Sequence, residues 1–128
     1  MVVSLILIIK IDYFPCIRPA HMSKTNRLFF YLPPEIQHYH FWQRLAQLPF
    51  VKAIYLFGSR ARGDDAAKSD IDLAVSCPDA SVSQWQQVLD IVEDADTLLS
   101  IDVVRYDLLK NGAFKQQIDQ NKKVVYAR

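Results

Sequence analysis

Two short apolar runs separated by a polar interval constrain the fold of this chain more than any other feature. Val51-Lys52-Ala53-Ile54-Tyr55-Leu56-Phe57 is rich in β-branched and aromatic residues, which predicts a strand, and it stops at Gly58-Ser59. Ten residues intervene before Asp70-Ile71-Asp72 opens a second predicted strand, Asp70 to Ser76, bounded by Lys68-Ser69 and Cys77-Pro78. Side chains alternate across a strand, so Asp70 and Asp72 fall on one face while Ile71, Leu73 and Val75 take the other. The apolar face must be covered by a core, and the acidic face must stay in reach of water or a cation.

Other segments supply that cover. Pro33 and Pro34 break the chain and suit the first turn of a helix, and Glu35 adds an acid near its positive end, so a helix is expected from about Pro34 to Gln47. Its apolar residues Ile36, Tyr39, Trp42 and Leu45 recur every three positions, so the stripe drifts around the helix. Ser81-x-x-Gln84 has the form of a capping box, and Trp85, Val88, Leu89 and Val92 follow on one face, predicting a helix of about fifteen residues with Trp85 as a core anchor. Ser100 to Tyr106 alternates as a third strand, Phe114 and Ile118 mark a short amphipathic helix, and Val124-Val125-Tyr126 predicts a last edge strand. Helices and strands intermix without repeat or linker, which gives an α/β or α+β fold with a small mixed sheet flanked by helices.

At 128 residues and 51% hydrophobic content the chain is about one domain long, with apolar side chains enough for a core. Fifteen basic and fourteen acidic residues leave a formal charge of +1, so strong nucleic-acid binding is not expected. Cys16 and Cys77 stand far apart, with neither the spacing of a zinc site nor a disulfide framework, and a reducing cytoplasmic setting is the simplest expectation. The apolar start, Met1 to Ile9, is too short to span a bilayer and lacks the flanks of a secretory signal. The apolar start is then either an extra strand or a tail that is not part of the natural protein; the second is expected, with residues 1–21 as an extension outside the domain, Met22 as a candidate true start and residues 22–128 as the domain.

The chemistry is concentrated on the acidic face. Two carboxylates held side by side repel unless a cation compensates, and oxygen-only ligands suit a hard ion such as Mg²⁺. In Ser100-Ile101-Asp102-Val103-Val104 the same alternation places Asp102 opposite the core face, where a neighbouring strand would bring it beside the first pair. Asp70, Asp72 and Asp102 are then candidate ligands for two metals, with Asp102 on the side of an attacking hydroxyl. Gly58 permits a sharp turn and close approach of a phosphate, Ser59 heads a short turn, and Arg60 and Arg62 are candidate phosphate contacts. His21, His38 and His40 have no ligand partner in sequence; the last two are expected on a surface or in packing.

Gly58-Ser59-Arg60-Ala61-Arg62-Gly63 followed by Ser69-Asp70-Ile71-Asp72-Leu73-Ala74-Val75 resembles the minimal nucleotidyltransferases of the DNA polymerase β superfamily. The G-S-x10-D-x-D signature matches at Gly58, Ser59, Asp70 and Asp72 without a gap, and Asp102 falls where that family places its third acid. The resemblance extends from about Pro34 to the C-terminus. It implies a palm-like fold that transfers a nucleoside monophosphate, usually AMP from ATP with Mg²⁺, to a hydroxyl. It also implies a helical partner of the HEPN or nucleotidyltransferase-substrate-binding type, encoded next door, whose tyrosine receives AMP in toxin–antitoxin pairs. Two other readings compete: a non-catalytic antitoxin that masks a helical partner, and nucleotidyl transfer to RNA or a small molecule. No membrane association is expected.

Overall fold

The computed structural model describes residues 29–66 and 68–128. The expectations for residues 1–21, Cys16, His21 and Met22 lie outside the described residues. Helices α1 (Phe41–Gln47), α2 (Ser59–Arg62), α3 (Val82–Glu93) and α4 (Ala113–Asn121) alternate with strands β1 (Ala53–Phe57), β2 (Ile71–Ser76), β3 (Ile101–Arg105) and β4 (Lys123–Ala127). The strands form one sheet in the order β3-β2-β1-β4. β1 runs antiparallel to β2 and β4, whereas β2 and β3 are parallel, which makes the sheet mixed as expected. A parallel pair cannot be joined by a tight turn, and α3 provides the crossover between β2 and β3.

One sheet face, carrying Ile54, Leu56, Ile71, Leu73 and Val75, packs with Ile36, Phe41, Trp42, Leu45, Val88 and Ile91 into a single apolar cluster. The opposite face carries the alternate residues. There Phe57 meets Phe114 of α4 with ring centres 6.0 Å apart, and Lys122 lies over the Tyr55 ring at 5.4 Å. The sheet is thus flanked by helices on both sides.

Several boundaries differ from the sequence reading. The first helix begins at Phe41, not near Pro34. Residues 33–39 instead form turns closed by Ile36 N–H to Pro33 O and Tyr39 N–H to Ile36 O. These bonds span three residues, and three residues is also the period of the apolar stripe, so the drift records tight turns followed by a short helix. The buried Trp42 indole N–H donates to Ile36 O at 2.8 Å and fastens turn to helix. In α3 both halves of the capping box form, Gln84 N–H donating to Ser81 Oγ and Ser81 N–H to Gln84 Oε1. That helix is twelve residues long, and Val88 and Ile91 are its buried positions. Trp85 is only half-buried, at the edge of the cluster beneath the Arg105 guanidinium, so the large anchors are Trp42, Phe41 and Tyr126. Among the described residues β4 is the last strand on its side of the sheet, as expected, and Phe29 bridges to it at Tyr126.

Candidate active site

The site is built where β1 ends and β2 and β3 begin. Phe57, the last residue of β1, pairs with Asp72, and Asp72 pairs in parallel register with Asp102. Directly paired residues project from the same face, so the Asp72 and Asp102 carboxyls meet on the side of the sheet away from the main core. When Asp72 is protonated, Asp102 is its hydrogen-bond partner, which favours the neutral carboxyl. Burial, then the negative charge of Asp102 and of Asp70, and then that hydrogen bond push Asp72 up to about 6, while Arg62 draws it back down. A carboxyl poised this way releases its proton readily to a cation that takes its place.

Gly58 adjoins this pair. Its φ of +72° lies in the left-handed region, and an added β-carbon would land on the Asp72 carboxylate. The position therefore excludes side chains on two grounds, backbone strain and collision. Ser59 opens α2, a single helical turn ended by Gly63 in the left-handed conformation. Gly58 thus stands against Asp72, with Ser59 next in the chain at the start of the turn.

Asp70 is exposed and precedes the first residue of β2, so the sheet ladder does not hold it beside Asp72 as strict alternation predicts. It acts on Asp72 through charge. Among the described residues, no three His, Cys, Asp or Glu side chains are gathered as a metal-ligating cluster. The sequence brings the three acids to one corner; the arrangement present is a contacting pair with a third carboxylate in electrostatic reach. The donor set is nonetheless one that fits Mg²⁺: oxygen ligands only, two of them pressed together at a cost that a divalent charge relieves.

The two arginines part company. Arg62 is exposed, 3.2 Å from Asp64, and close enough to influence Asp72. Arg60 is buried, with 3% exposure; its Nε and Nη2 donate to Ser69 O at 3.2 and 2.9 Å, and Nη1 reaches Asp65 at 3.3 Å. Its expected phosphate contact is corrected accordingly: the guanidinium is a clamp between α2 and the approach to β2. The signal lay in the spacing, since residues two apart on a helical turn point to opposite sides and both could not face one phosphate. His38 and His40 are exposed, and the His40 backbone N–H donates to Asp96 at 3.1 Å. Cys77 is buried, and burial pushes its thiol up, which removes it as a nucleophile. Among the described residues no helix is long and apolar enough to cross a membrane.

Comparison with known proteins agrees with this geometry. Residues 42–128 match the family model described as "Polymerase beta, Nucleotidyltransferase". The chain is 30% identical over 73 residues to MJ1379 of Methanocaldococcus jannaschii, provisionally named a protein adenylyltransferase; the match covers 56% of this chain and 73% of that protein. Its fold is similar to a chain of a toxin–antitoxin crystal structure with AMP-PNP, with a TM-score of 0.54, 23% identity and 75% of each chain covered. With the Gly58-Ser59 turn set against paired strand carboxyls, and the family match spanning every element from α1 to β4, this chain belongs to the polymerase β nucleotidyltransferase family.

Proposed function

We propose that this nucleotidyltransferase transfers AMP from ATP to a hydroxyl of a partner protein, a tyrosine of a helical HEPN toxin, and acts as its antitoxin. The observation that carries the catalytic part is the parallel register of Asp72 and Asp102, which puts two carboxyls in contact beside a glycine that leaves room for nothing larger. The protein acceptor is supported by the relative named as a protein adenylyltransferase. The toxin partner is supported by the sequence resemblance, and the toxin–antitoxin origin of the structural neighbour is in keeping with it.

In this reading Asp70 and Asp72 would hold Mg²⁺ with the nucleotide, and Asp102 would share it on the acceptor side. When bound, the ion supplies charge neutralisation and lowers the pKa of the attacking hydroxyl. The Gly58-Ser59 turn receives the terminal phosphates, and Arg62, exposed at the mouth, steadies them. Asp102 orients the acceptor hydroxyl towards the α-phosphorus. The new bond joins the hydroxyl oxygen to that phosphorus as its proton passes to Asp102, the bond to the β-phosphate oxygen breaks with its electron pair going to that oxygen, and pyrophosphate leaves.

The test is co-expression of the chain with the protein encoded beside it, followed by incubation with Mg²⁺ and ATP and intact mass spectrometry of the neighbour. Addition of AMP units, absent with Asp70→Asn or Asp72→Asn, is the expected result. A neighbour that binds stably, is protected against and yet gains no mass would instead establish masking without catalysis, and labelling of RNA in place of protein would reassign the acceptor.

A further inference from the structure

Among the described residues β3 is an edge strand of the sheet, and it is the strand that carries Asp102. Ile71 N–H donates to Ser100 O at 2.8 Å, which sets the phase of the parallel ladder. The peptide groups of Ser100, Asp102 and Val104 turn towards β2, and those of Ile101 and Val103 turn outward. Directly beside this edge, between β3 and α3, lies a groove of about 600 Å³ whose apolar lining includes Leu89, Val92, Leu99, Ile101 and Val103. All five are half-buried.

The surroundings are predominantly acidic. Residues 78–104 contain six acids, Asp79, Asp90, Glu93, Asp94, Asp96 and Asp102, and no Lys or Arg. Glu93 lines the groove itself. Arg44 meets Asp94 at 3.0 Å and the Arg105 guanidinium lies over Trp85, so the acidic excess at the groove comes from Glu93 and Asp102, which line it.

We propose that an extended, basic segment of the acceptor protein, lying outside its helices, is laid along the edge of β3 that the described residues leave unpaired, and that this strand addition delivers its hydroxyl to Asp102. An added strand satisfies the outward peptide groups of Ile101 and Val103. Its side chains alternate between faces, so one set fills the apolar groove under α3 while the other reaches the face where Asp72 and Asp102 meet. Lys or Arg residues on the segment answer the acidic rim, which fixes orientation and speeds encounter. The proposal rests on the nucleotidyltransfer reading for its chemistry, but strand docking is measurable without turnover.

The probe is a fluorescent peptide alternating Val with Lys and carrying one central Tyr, compared with the same peptide bearing Glu for Lys. Binding to the full chain is read by anisotropy at low salt, and ATP binding is measured separately. The expected result is that only the Lys peptide binds, and that Glu93→Lys weakens it about tenfold, as loss and reversal of one favourable charge predicts. Val103→Pro, which removes an outward N–H and no ladder bond, should weaken it similarly, with ATP binding and far-UV circular dichroism unchanged in both variants. Leu89→Asp provides an independent check through the groove. Equal binding of the two peptides, absence of binding to a chain that binds ATP, or concentration-dependent self-association through this edge would overturn the proposal. If the neighbour is adenylylated at the same rate by the Glu93→Lys/Val103→Pro double variant, edge docking falls and the catalytic reading stands. If the Lys peptide binds but no neighbour or peptide is ever adenylylated, docking stands and the catalytic reading falls.

Discussion

Asp72→Asn should stabilise the metal-free protein at pH 8 while ending nucleotidyl transfer, and the size of the gain follows from the site. Asp72 moves from an ordinary 3.8 to about 6 in the folded chain. Two units correspond to a ceiling of about 3 kcal/mol. Because Asp72 is only partly buried and water screens its neighbours, about 1 kcal/mol is the expected share. The sign is set by proton binding. The folded state holds this proton more tightly than the unfolded chain, so the contribution of Asp72 is neutral below about pH 4 and turns unfavourable as pH rises to about 6. Asn cannot ionise and escapes that penalty. Urea unfolding with a chelator present should therefore show matched stabilities near pH 4 and a variant more stable by about 1 kcal/mol at pH 8, roughly 3–6 °C in Tm. A variant no more stable at pH 8, or one that gains equally at pH 4, would refute the argument that burial and then charge crowding hold this carboxyl above its ordinary range.

Gly58→Ala should lose both stability, by about 1–3 kcal/mol from the left-handed backbone alone, and activity, since the new methyl displaces the Asp72 carboxylate; thermal melts and the mass assay read the two effects separately. Arg60→Ala should lower the urea midpoint by the equivalent of about 2–4 kcal/mol, because it abandons Asp65 and the Ser69 carbonyl in a largely buried setting. Arg62→Ala should change stability by less than about 0.5 kcal/mol and raise the KM for ATP, a split that would fail if both variants behaved alike. Trp42→Phe should cost about 1–2 kcal/mol in chemical denaturation by leaving Ile36 O without its indole donor.

The fold class and the order of strands along the chain were legible in the sequence, and the placement of the candidate site residues followed from it in part. Gly58, Ser59 and Asp72 are tied to local geometry, a strand end and an alternating face, which primary structure encodes directly. Asp102 followed from alternation within its own strand, but its partner did not: that β3 runs parallel to β2 and pairs residue for residue with it depends on the crossover through α3, a long-range outcome. Asp70 was read as part of the strand because it shares the period of Asp72, although the ladder starts one residue later. Residues 33–39 carried prolines and a three-residue period that suit a helix start and a series of turns equally, and the buried bond from Trp42 to Ile36 O that favours turns is tertiary. Trp85 looked like an anchor because size usually goes inward, yet it lies at the margin of the cluster under Arg105.

The Arg60 clamp bears on how this site can vary among proteins. The guanidinium joins α2 to Ser69 directly, so the two halves of the site are aligned by a bond across the base of the intervening loop. Among the described residues of that loop, Asp65 is held by the clamp as well. Doubling such a loop raises its closure entropy by only about 0.6 kcal/mol. The ten-residue interval is thus a convenience of loop economy, and chains with longer or shorter intervals could assemble the same corner wherever an equivalent clamp is kept.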